Sequence, residues 1–126
     1  MSSKIATQAV TYAGAPISAT AFLFSGTPFY TDAIDIKYSD GYAALLMVIA
    51  ATGSPDLDIS MQVSEDNVSW YTPYNSSGAD ASAIATALTA DRFQALSLPL
   101  ASYLRFKIDP DADTTLTLKY ITKEHV

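Results

Sequence analysis

The chain has 126 residues, no cysteine and a formal charge of −6, with 16% charged against 49% hydrophobic residues. That length suits one domain that buries a core without covalent staples, and the lack of cysteine excludes disulfides and zinc–thiolate sites. The acidity lies in the front: residues 1–90 hold Lys4 and Lys37 against seven Asp and one Glu, so no Lys/Arg cluster exists there to displace counterions from a nucleic-acid backbone.

The first ten residues carry one charge, Lys4, alternate through Ile5, Thr7 and Ala9, and contain no apolar stretch of signal-peptide length. They read as an arm, residues 1–10, that adds to a neighbouring sheet edge and contributes to attachment, with 11–126 forming a single domain. Strands are expected around 5–12 and 17–24, separated by Gly14-Ala15-Pro16 and closed by Ser25-Gly26-Thr27-Pro28. Ile34, Ile36 and Tyr38 alternate with Asp35, Lys37 and Ser39, and Asp40-Gly41 has the chemistry of a tight hairpin turn.

Tyr42 to Ala51 is apolar at both parities, too short to span a bilayer, and ends in Thr52-Gly53-Ser54-Pro55. It reads as a strand covered on both faces, one of them inside the sandwich or against a neighbouring subunit. The clearest alternation follows, with Leu57, Ile59, Met61 and Val63 separated by Asp58, Ser60, Gln62 and Ser64. A turn over Glu65 to Val68 then returns a strand as far as Tyr71. Tyr74 to Ala90 is rich in small residues, so a mobile loop is expected near Asn75 to Ser82 and a short strand at Ile84, Thr86 and Leu88, with a helix over 81–90 as the competing reading. Leu104, Phe106 and Ile108, then Leu116, Leu118 and Tyr120, complete a predicted hairpin across Asp109 to Asp113. The sum is an all-β, antiparallel β-sandwich of about eight strands.

Chemistry is sparse. The single histidine, His125, is the penultimate residue of a terminus expected to fray, which removes the base that a nucleophilic triad needs. Neither a phosphate-cradling glycine loop nor a dinucleotide fingerprint occurs, so no catalytic residue and no cofactor is assigned. Asp109, Asp111 and Asp113 resemble the opening of a calcium loop, but Thr114 and Tyr120 stand where its glycine and bidentate acid belong. A polar turn without a metal is therefore expected. Trp70, Tyr71 and Tyr74 could stack on sugars, though Trp70 is read first as a core anchor of its hairpin. Asn67-Val68-Ser69 and Asn75-Ser76-Ser77 match glycosylation acceptors by sequence alone.

The phrase Val63-Ser64-Glu65-Asp66-Asn67-Val68-Ser69-Trp70-Tyr71-Thr72-Pro73, followed after a loop by Leu98-Pro99-Leu100-Ala101-Ser102-Tyr103-Leu104-Arg105-Phe106-Lys107-Ile108, resembles small β-sandwich virion proteins of tailed bacteriophages. These include capsid decoration proteins and other head or tail accessory proteins, and the resemblance covers about residues 30–122. It implies a jelly-roll subunit located in the virion, forming a homo-oligomer, with a trimer favoured, on the major capsid protein or another virion protein. It carries over no catalytic residue, and no membrane or nucleic-acid partner is expected. The same cadence occurs in carbohydrate-binding sandwiches, so the alternative is a glycan-binding module of a host-adhesion apparatus that uses Trp70, Tyr71 and Tyr74.

Overall fold

The computed structural model describes residues 3–17, 22–23, 27–50, 56–111 and 114–125, and these form strands without any helix. The chain runs β1 (Ser3–Ala9), β2 (Thr11–Tyr12), β3 (Ala15–Pro16), β4 (Phe22–Leu23), β5 (Phe29–Tyr30) and β6 (Ile34–Asp35). It continues through β7 (Ser39–Ala50), β8 (Leu57–Ser64), β9 (Ala83–Leu88), β10 (Arg92–Ser97), β11 (Tyr103–Pro110) and β12 (Thr114–His125). The expected antiparallel sandwich is present. Long strands carry it, and the two-residue strands β2 to β6 are short additions along the way.

The first sheet has the order β1-β12-β7-β10, with β4 beside the start of β12. The second has the order β5-β11-β8-β9, with β6 also on β11. Period-two alternation sends one parity of each long strand between the sheets: Leu45 and Met47 from β7, Leu116, Leu118 and Tyr120 from β12, Leu57, Ile59 and Met61 from β8, and Leu104, Phe106 and Ile108 from β11. Phe106 and Tyr120 meet across the sandwich with ring centroids 6.3 Å apart.

Several pairings differ from the sequence expectation, for a common reason: alternation specifies which face a residue occupies and says nothing of the neighbouring strand. β11 and β12 do not form a hairpin. β11 pairs with β8 in the second sheet and β12 with β7 in the first, so the acidic turn between them crosses the sandwich. Asp40-Gly41 is likewise no hairpin turn. β6 belongs to the second sheet and β7 to the first, and Gly41, with φ +86°, sits inside β7 where the register of its partner β12 shifts between Thr122 and Glu124.

Residues 3–9, expected as an arm reaching a neighbour, lie along β12 of their own chain, from Ser3 opposite His125 to Ala9 opposite Lys119. The helical reading of 81–90 is not realised, and the predicted strand there is β9. The returning strand after residue 68 is reduced to single bridges, Val63 with Tyr71 and Tyr74 with Asp80. β10 went unrecognised because Phe93, Ala95 and Leu96 place apolar groups at both parities. Asn75 closes its loop by accepting from the Ser77 and Ala79 amides and the Ser77 hydroxyl. The Thr52 to Pro55 turn, the Ser25-Gly26 signal and Asp113 lie outside the described residues.

Candidate functional site

The outer face of the second sheet is polar and aromatic. Arg105, pointing outward from β11, lies between Tyr30 and Trp70, with its guanidinium carbon 4.2 Å and 4.4 Å from the two ring centroids. Its Nε and Nη2 donate to Oε1 of Gln62, the residue opposite it on β8, at 2.9 Å and 2.7 Å. Partial burial pushes the Arg105 guanidinium below its ordinary pKa, as expected for a cation shielded by two rings. Trp70 is therefore half-exposed on the outside of the sandwich and is not a core anchor. With only the Val63–Tyr71 bridge holding the segment, no regular strand carries Trp70 inward.

Tyr71 and Tyr74 are exposed, and among the described residues neither ring stacks on another aromatic ring. At the other end of this face Lys37 donates to the Tyr103 hydroxyl at 3.1 Å, lies over that ring and pairs with Asp35 at 3.4 Å. The Tyr103 hydrogen bond holds the Lys37 ammonium above its usual pKa.

The acidic residues group differently from the sequence expectation. Asp111 stands with Asp56 and Asp58, their carboxylate oxygens within 4.8 Å of one another, while Asp109 faces Asp58 across the β11–β8 ladder. Antiparallel pairing creates this group by bringing the start of β8 beside the end of β11, a juxtaposition invisible to local spacing. The Asp111 carboxyl is pushed above its ordinary pKa by desolvation and by the charges of Asp58, Asp56 and Asp109. Asp58 also has a structural part, accepting from the amide of Ala87, whose φ of 52° marks an irregularity in β9. Three carboxylates are the donor type that hard cations take, but the group by itself is a solvated acidic end.

Two open hollows of about 230 and 240 Å³ flank the stretch from Asp35 to Gly41. The first is lined by Leu98, Pro99 and Leu100, the second by Tyr38 and Thr122. Neither gathers a nucleophile with a base.

The outer face of the first sheet has the opposite character. Register places Ile121, Ala44 and Ala95 side by side on β12, β7 and β10, and Ala9, Lys119, Leu46 and Phe93 in the next row across all four strands. Thr117 and Val48 form a third row, Tyr42 stands opposite Ser97, and Ile5 opposite Lys123. Because Leu45, Met47 and Leu118 point into the core, these alternate residues point away from it. Phe93 is 64%, Tyr42 71% and Ile5 74% exposed. The charged groups on this face are Lys119 and Lys123, with Asp91 at its rim accepting from the Ile49 amide. The double apolar parity of residues 42–50 thus has two destinations, the core and this open face.

Compared with protein-family models and with curated proteins, the chain matches none.

Proposed function

We propose that this chain is a structural subunit of a virion, an accessory or decoration protein that stabilises the particle by non-covalent assembly. The observation that carries the reading is the apolar outer face of the first sheet. Leu46, Val48, Phe93, Ile121 and Tyr42 form a contiguous patch on a strand framework that has a complete core without them. Large contiguous apolar patches are uncommon on solitary soluble domains and mark surfaces that another protein covers. The virion assignment itself comes from the resemblance of residues 30–122, and the low charge density is compatible with it.

The exposed rings of Tyr71 and Tyr74 favour a second reading, a glycan-binding module of a host-adhesion apparatus. In that reading Trp70 contributes less than its sequence position suggests, because Arg105 occupies one face of its ring. Co-sedimentation of the purified chain with capsids, alongside glycan-array binding, separates the two. Saturable binding to particles, lost on Leu46→Asp, is expected. Glycan binding lost on Tyr74→Ala, without particle binding, would replace the assembly reading with the second.

A further inference from the structure

The patch has a shape as well as a polarity, and the shape selects its occupant. Its width is four strands, about 20 Å at ~4.8 Å per strand with side chains at the margins. Its length follows β12 against β7 from Thr115 to Thr122, about 27 Å at ~3.4 Å per residue. A helix about 10 Å across would cover half of that width. A second four-stranded sheet would cover all of it.

Sheets of equal twist pack face to face with strands nearly aligned, as the two sheets of this sandwich do. A copy of the same sheet necessarily has the same twist and the same width. The relief also suits self-packing: Ala44, Ala95 and Ala9 are low points beside the raised Leu46, Phe93 and Ile121. Each copy therefore offers both knobs and holes.

From these observations we propose that the outer face of the first sheet packs against the same face of a second copy, sheet on sheet, about a two-fold axis. The proposal rests on the reading of this face as an assembly surface and names what covers it. The footprint is about 500 Å² on each copy, so the pair buries about 1,000 Å², the size at which a specific interface becomes stable.

Lys119 is the one charge near the middle of the face, and its place on β12 makes it tolerable. The adjoining outward residues of the edge strand β1 are Thr7 and Ala9, low enough for the lysine stem to lie over them. The ammonium then reaches solvent at the edge, one strand spacing of about 4.8 Å away. A two-fold contact of this kind closes on itself, so it accounts for the patch without generating fibres.

Sedimentation equilibrium of the full chain at about 10–100 μM tests the pairing, this being the range in which an interface at the low end of the specific size class associates. The expected molar mass is twice the 13.4 kDa of the chain. Leu46→Asp and, separately, Ala95→Arg are each expected to halve the mass while keeping a cooperative melt, since both side chains point away from the core. As a check independent of variant folding, Ala95→Cys places a single thiol in a cysteine-free chain, and a spin label there is expected to show dipolar coupling between copies.

A monomeric wild type that still binds capsids would overturn the pairing and leave the virion assignment standing. A stable pair that binds no particle would uphold the pairing and remove the assignment. A three-fold mass, or a mass unchanged by both substitutions, would overturn this use of the face.

Discussion

Arg105 shows how a single side chain changes the meaning of its neighbours. Held by Gln62 and shielded by Tyr30 and Trp70, it turns what reads as a core tryptophan into part of a surface staple. Trp70→Ala is therefore expected to cost about 1–2 kcal/mol, the range of a partly desolvated cation–π contact. Phe106→Ala is expected to cost about 3–5 kcal/mol, because that ring is fully enclosed between the sheets. Denaturant titration of both variants checks the contrast, and equal losses would contradict it. Asp111 offers a second test at this scale. Its carboxyl is held above the ordinary range by like charges, so the ionised form is the destabilising one, present above its folded pKa and relieved as pH falls through it. Asp111→Asn is expected to raise the melting temperature at pH 7 and to lose that gain in mild acid. The gain should be the same in EDTA and in millimolar calcium, whereas a calcium-dependent rise in the parent, abolished by the substitution, would reveal a bound ion.

Among the elements, β7 and β1 carry the strongest expectations. β7 contains Gly41 at positive φ with open space around it, so an added Cβ meets no atom within 4 Å but must adopt a left-handed backbone. Gly41→Ala is expected to cost about 1–2 kcal/mol through that conformation alone, measurable as a shift in denaturant midpoint with an unchanged slope. β1 pairs with β12 along seven positions, which gives the N-terminal segment a place in its own sheet. Deleting residues 1–9 is expected to lower stability by on the order of 1–2 kcal/mol, the scale of a few cross-strand pairs. It also bares the edge of β12, so slow aggregation on heating is expected as well. An unchanged melting temperature would return the segment to the role of an arm.

For the molecule as a whole, three acidic side chains fasten connections that the sheets leave irregular. Asp32 accepts from the Thr11 hydroxyl and the Gly14 and Ala13 amides, holding the β2–β3 turn, where Gly14 at φ +83° provides the reversal. Asp66 accepts from the Ser69 and Val68 amides and the Ser64 hydroxyl, and Asp80 from the hydroxyl and amide of Ser82. These bonds hold all three carboxyls below their ordinary pKa. Their stabilisation is present above the unfolded value of about 3.9 and is lost as pH falls through the lower folded values. Asp111 acts in the opposite sense. A thermal-melt series is therefore expected to show its highest melting temperature near pH ~5 and a steep fall below pH ~4. A maximum at neutral pH with a steady decline through pH 5 would contradict this account.

Local pattern was enough to establish strand content and the inward face of β8, β11 and β12, because side chains alternate strictly along an extended backbone. Ile59, Phe106 and Leu118 are core residues on that ground alone. The same pattern foretold that residues 42–50 need cover on two sides, since both parities are apolar. Which strands pair was decided in three dimensions: β11 and β12, adjacent in sequence, lie in different sheets, and β12 joins the first strand to the seventh. Long-range pairing depends on the combined fit of all faces, which no short window contains. For the same reason Asp56 and Asp58 meet Asp111 in place of the local Asp109-to-Asp113 series, and Trp70 finds Arg105 rather than the core. The apolar patch of Leu46, Phe93 and Ile121 is assembled from three strands that only the folded sheet brings into one row.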